Sequence, residues 1–334
     1  MPIPFIIAGV AVAAAGYGAK KGYDAKCDFD DAEYYNSKAK RIYNEAQSDL
    51  NSSREQTNSQ MEALGSLKVN IYRESLNDFV NIFSKIKNVD FEDNLDLGLS
   101  ISDEDYKNVL EIKKDVLKIT ELVGGTTAAI GSGALAGFGA FGGAGMLATA
   151  STGTAIGSLS GVAATNATLA WFGGGSLAAG GLGMAGGMAV LGGIVAGPVI
   201  AVAGGMMAAK AETAKYEAEA NLDKAKGYIE EMETAKVVVE EINTRVTEFI
   251  NILHPLNNEF ENYIDSLEDI VDNSDDYSTY SEEDKKVVMV TVSIAQTVKN
   301  ICDVPIIDEN GEITRKSKRA LKTAKKFVSK LEKV

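Results

Sequence analysis

From Leu122 to Ala209 the chain runs for 88 residues without one Asp, Glu, Lys, Arg or His, and its single proline there is Pro198. The same run holds 25 of the protein's 33 glycines. At about 20 residues per spanning helix it is long enough to cross a bilayer three or four times. Glycine costs about 1 kcal/mol relative to Ala inside a helix in water, so the run is a poor autonomous helix in solvent. In lipid, small residues four apart let helix backbones approach closely, and that contact supplies the association energy. Gly153, Gly157 and Gly161 form such a ridge, and the pairs Gly133/Gly137, Gly139/Gly143, Gly183/Gly187 and Gly193/Gly197 repeat the spacing. A low-complexity connector is the alternative reading of this composition. Against it, the segment MAVLGGIVAGPVIAVAGGMMAA at 188–209 has the length and apolarity of a spanning helix. Residues 122–209 are therefore expected to form a glycine-rich, membrane-active helical hairpin whose named glycines pack helix on helix.

The flanks are charged and read as helix. Residues 3–19 are apolar, with only Met1 and Pro2 before them and Lys20 and Lys21 after them. That order lacks the basic leading region of a secretory signal, so the expectation is a cytoplasmic, membrane-associated protein with an apolar N-terminal segment at 1–26. Ala11, Ala15 and Ala19 give this segment its own small face. From Asp31 to about Asn88, apolar positions step by three and four through Ala32, Tyr35, Ala39, Ile42, Ala46 and Leu50. They resume at Met61, Leu64, Leu67 and Ile71, with a bend expected at Gly65. Beyond an acidic loop at 90–101, Ser102 heads a further helix to about Val123. Residues 27–121 thus make one helical arm and 210–302 a second. The second arm carries the seam Leu222, Ala225, Ile229, Met232, Val239, Ile242, Val246, Phe249, Leu253, Leu256, Phe260, Tyr263, Leu267 and Ile270 from about 206 to 271, with a kink expected at Pro255. Ser281 is placed to cap a helix from about Glu282 to Cys302, and Val304 to Ile313 suggests a small hairpin. The reading is an all-α bundle of long amphipathic helices whose two seams pair.

Residues 303–334 form a connector and a basic amphipathic tail. Although the chain has a net charge of −14, residues 313–334 carry nine Lys and Arg against Glu332 alone. Arg315, Lys316, Lys318, Arg319, Lys322, Lys325, Lys326 and Lys330 are the expected contacts with anionic lipid, at about 1 kcal/mol per basic residue. Docking of the tail on the acidic remainder of the chain is the other reading. The negative balance elsewhere disfavours general nucleic-acid binding, which depends on neutralising phosphates. Two GxGxxG matches, Gly137 to Gly142 and Gly181 to Gly186, lack the acidic residue a ribose needs, since no charge occurs before Lys210. There is no phosphate loop. The only histidine, His254, has no Cys or second His at ligand spacing, and Cys27 and Cys302 read as packing residues. No catalytic residue, cofactor site or metal site is expected.

The segment TASTGTAIGSLSGVAATNATLAWFGGGSLAAGGLGMAGG, with IAGVAVAAAGYGAKKG at the N-terminus, resembles bacterial glycine-zipper membrane proteins. In layout, long amphipathic helices around a hydrophobic hairpin, the chain resembles α-helical pore-forming toxins of the cytolysin A and haemolysin BL type and the apolipoprotein L group. That resemblance implies a helical bundle that hides an apolar segment, later inserts it into a bilayer and forms a homo-oligomer, with no catalytic residue carried over. The alternative is a constitutively anchored scaffold whose helical arms recruit a helical protein partner.

Overall fold

In the computed structural model, residues 19–89, 109, 111–117, 119, 132–142, 211–308 and 311–332 are described. Among them the architecture is all-α: α1 (Ala19–Arg73), α2 (Ser75–Phe83), α3 (Ser132–Phe141), α4 (Ala211–Asn273), α5 (Glu282–Asp303) and α6 (Arg315–Leu331), with no strand. Residues 111–117 are helical as well. The start of α5 follows from a capping box. The Ser281 side chain accepts from the Asp284 N–H at 3.1 Å while the Asp284 carboxylate accepts from the Ser281 N–H at 3.1 Å, satisfying two of the donors a helix start leaves orphaned. Pro255 lies inside α4, which continues through it to Asn273. Leu253, Leu256 and Phe260 are buried around it, so packing offsets the backbone bond that proline removes. Gly65, where a bend is expected, does not interrupt α1; the helix breaks at Glu74, with φ −106° and ψ −87°. The expected hairpin at 304–313 reduces to one antiparallel bridge, Ile307 to Ile313, turning through Gly311 at φ +79°.

Contacts divide the described residues into two units, those within 1–55 and 193–240 and those within 56–192 and 241–334. In the first, α1 and α4 run parallel. Lys215 pairs with Asp31 at 2.6 Å, Asn221 donates to Asn36 at 3.3 Å, and Lys236 meets Asp49 at 3.6 Å, so both sequence numbers rise together along the contact. Ala39, Leu222 and Ala225 form its core, with Tyr35 and Ile42 packed against them. Two of the three core residues are alanines, and each ion pair keeps a substantial share of its surface in water, where such a pair is worth about 0–1 kcal/mol.

The second unit has the larger core. Here too the first and second arms run parallel, from Ser75 on Glu261 at 3.2 Å to Lys87 on Asp275 at 2.6 Å. Phe79 packs its ring on Phe83 and Phe260, at 5.4 and 5.7 Å between centroids. Helix α5 is the central element: Val288 through Ala295 are all buried, the signature of a helix covered on every side. Its β-branched residues are indifferent helix formers, and burial together with the capping box compensates. Helix α6 lies against α5 through Ser317, Leu321 and Ala324. The tail therefore docks on its own bundle, burying Leu321 and Ala324 and leaving Phe327, Val328 and Leu331 partly exposed.

Candidate functional site

Two features stand out in the second unit, and both involve residues marked by the sequence. The first is the seat of α3, the one helix described within the uncharged run. A Cβ built on Gly139 would lie 2.1 Å from the carbonyl oxygen of Met61, and one built on Gly65 only 1.9 Å from that of Leu135. Helices α1 and α3 thus touch backbone to backbone, and only glycine at both positions permits it. The C-terminus of α3 is closed with equal care. Gly142, at φ +65°, donates its N–H to Phe138 O at 2.9 Å; Ile306 N donates to Ala140 O at 2.7 Å; and Lys68 Nζ donates to Gly139 O at 3.1 Å. Three of the last four carbonyls of the helix are thereby satisfied.

Lys68 is fully buried, with its ammonium 6.0 Å from the Phe138 ring centroid and 5.8 Å from that of Phe249. Its positive charge faces the negative end of the α3 dipole and two aromatic faces, an arrangement that favours the charged form. Burial acts the other way and dominates, lowering the Lys68 pKa to about 8 despite the opposing fields of Cys302 and Asp303. Beside it, Tyr72 Oη donates to Asp303 at 2.5 Å, and Lys299 bridges Asp303 at 2.6 Å and Asp115 at 3.0 Å. Burial, and then the neighbouring Asp303 charge, hold the Tyr72 phenol protonated. Burial likewise pushes the Cys302 thiol up to about 12. Within this cluster Lys68 is a structural cation.

The second feature is a groove of about 670 Å3 between α4 and α6, lined by Arg245 and Glu248 on one side and by the lysines of the tail on the other. Of the predicted lipid contacts, Lys318, Lys322, Lys325, Lys326 and Lys330 converge on this groove, whereas Arg315, Lys316 and Arg319 do not line it. Lys325 reaches Glu248 at 3.2 Å. Arg245, from the other arm, is the member that sequence reasoning missed, since it reads as an ordinary charge beside the seam of α4.

Of the eleven predicted packing glycines, Gly139 sits in the α1 contact, Gly137 is buried on the same helix, and Gly133 lies in its first turn. Gly143, Gly153, Gly157, Gly161, Gly183, Gly187, Gly193 and Gly197 lie outside the described residues. No helix among the described residues is long and apolar enough to cross a membrane. His254 is exposed, Cys302 is buried, and Cys27 is exposed, which corrects its reading as a packing residue. Among the described residues no group of three or more His, Cys, Asp or Glu is placed to hold a metal. Comparison with known proteins returns no matching family model, curated protein or solved structure.

Proposed function

We propose that this chain is a membrane-permeabilising, oligomerising α-helical protein that keeps part of its uncharged run folded into a helical bundle until it meets a bilayer. The observation that carries this reading is the seat of α3. A ten-residue helix from the uncharged run is stored with Leu135 and Gly139 against the backbone of α1 and with carbonyls answered by Lys68 and Ile306. Such capping lets a segment without charges of its own remain in a water-facing protein. In lipid the small residues of this segment suit contact with another helix. The partners are then a lipid bilayer and further copies of the chain. The reading involves no nucleic acid, cofactor or catalytic step, and follows from the resemblance of the sequence layout to α-helical pore formers.

A second reading, a permanently anchored scaffold with helical arms, is favoured by the first unit. Because α1 and α4 run parallel there, the apolar sequence before α1 and the apolar sequence before α4 are joined to the same end of the pair. One bilayer contact would then hold both helices. The two readings differ in whether a detergent-free soluble form exists. Expression followed by fractionation without detergent, then dye release from anionic liposomes by the soluble fraction, separates them: release supports the permeabilising protein, and protein confined to the membrane pellet supports the scaffold.

A further inference from the structure

We propose that the charge cluster at the C-terminus of α5 is a latch that holds α3 and the helical stretch 111–117 in the bundle together, and lets go of both when Asp303 loses its charge. Asp303 is the hub. Its carboxylate accepts from Tyr72 Oη on α1 at 2.5 Å and pairs with Lys299 at 2.6 Å, and Lys299 also pairs with Asp115 of the 111–117 stretch at 3.0 Å. The Asp303 carbonyl abuts Gly142, where a Cβ would lie 2.4 Å from that oxygen, and just beyond it the N–H of Ile306 donates to Ala140 O at 2.7 Å. Asp115 shortly precedes Leu122, the start of the uncharged run, and Gly142 is where the chain leaves α3 within that run. The stretch from the entry of the run to the end of α3 is thus tied at both ends to one residue.

Place and charge balance make this cluster a latch. The unit is held elsewhere by apolar packing such as Phe79 on Phe83 and Phe260, whereas Lys68, Lys299, Asp115 and Asp303 gather where the uncharged run meets the bundle. Two cations face two carboxylates there. Lys68 is fully buried, lies in the field of Asp303 and donates to Gly139 O at 3.1 Å. An ion cluster of this kind adds little over apolar packing while it is whole, but loss of one partner leaves a charge that the interior cannot answer. A small change at one carboxylate therefore has a large local effect. The Lys299 side chain is 15% exposed, against 29% for Asp115 and 32% for Asp303, so the cations sit inside and the carboxylates are the members that solvent reaches. Use of the latch as a trigger rests on the permeabilising reading above; release itself is a property of the protein without lipid.

The test is amide hydrogen exchange of the full chain in solution, read by mass spectrometry. Asp303→Asn should speed exchange at 111–117 and 132–142 together by at least about tenfold, the value of one lost charged hydrogen bond, while α2 and residues 282–292 of α5 stay within about threefold of the parent. Tyr72→Phe removes one hydrogen bond and no charge, and should open the same two segments by about threefold or more. Lys299→Met/Asp303→Asn restores the balance of charge and should return both segments to within about threefold of the parent. Ser281→Ala, at the opposite end of α5, should accelerate neither segment more than it accelerates α2. Dye release from phosphatidylglycerol vesicles by the same variants separates the latch from its use: joint opening with faster release supports both, and joint opening without release keeps the latch and refutes the permeabilising reading. Opening of only one segment, acceleration spread evenly over the unit, a double variant as open as Asp303→Asn, or no change at 132–142 would overturn the proposal.

Discussion

A methyl group placed on Gly139 tests the seat of α3 directly. In the structure that carbon would lie 2.1 Å from Met61 O, 3.0 Å from Met61 C and 3.1 Å from Gly65 N. All three are backbone atoms, so no side chain can swing aside, and the two helices must separate by about 1 Å to restore an ordinary contact. Overpacking of this kind costs about 1–3 kcal/mol. Replacing glycine by alanine inside a helix returns about 1 kcal/mol of propensity, which leaves Gly139→Ala destabilised by up to about 2 kcal/mol. Gly227 is the internal control, since it is helical and a Cβ there meets nothing within 4 Å. Gly227→Ala should therefore stabilise by about 0.5–1 kcal/mol. Urea unfolding followed by circular dichroism at 222 nm gives both values. Gly65→Ala combined with Gly139→Ala should cost less than the sum of the two, because the helices separate only once. If Gly139→Ala stabilises as Gly227→Ala does, the backbone contact between α1 and α3 does not exist in solution.

Lys68 makes a prediction about pH. Its pKa of about 8 lies below the ordinary 10.5, so between those values the unfolded chain holds a proton that the folded chain has lost, and stability rises as pH passes 8. The gain by about pH 9 is roughly 1 kcal/mol, and Lys68→Met should abolish it in urea titrations across this window. Above pH 9 the Cys302 thiol acts oppositely, since burial keeps it protonated to about 12 in the fold while the unfolded thiol ionises, so the rise should flatten there and reverse above 10.5, where the unfolded lysine has also lost its proton. Ser281→Ala should cost about 1 kcal/mol by breaking the capping box of α5, read from the same unfolding curves. Gly157→Leu, in the triple ridge, should reduce liposome leakage and detergent-resistant oligomers at unchanged helical content, whereas Gly157→Ala should leave both near the parent.

The helices were legible in the sequence because their causes are local. Periodicity placed the long helix of the second arm at about 206–271 where α4 spans Ala211–Asn273, and Ser281 announced α5. The seam drifted by one residue at its end, where Ile264 and Val271 are buried in place of Tyr263 and Ile270. A straight helix at 3.6 residues per turn slides off a 3.5 repeat in this way. Lys68 was illegible for a related reason. The seam read Leu64, Leu67 and Ile71, but the fold steps by four from Leu64 to Lys68, burying the lysine and leaving Leu67 half-exposed. The carbonyl of Gly139, 71 positions away, and the rings of Phe138 and Phe249 make that burial tolerable. The parallel course of the two arms, the use of Gly65 as a contact, and the entry of Arg245 into the groove also depend on partners remote in sequence, which no local pattern encodes.

Dye release from anionic liposomes is the most direct measurement of the central claim. Protein purified without detergent and added to vesicles at about 0.15 M salt should release dye as it oligomerises on the membrane. Glutaraldehyde cross-linking of the same samples should show oligomers only where lipid is present. Soluble, fully helical protein that releases no dye from liposomes of any anionic content would contradict the account.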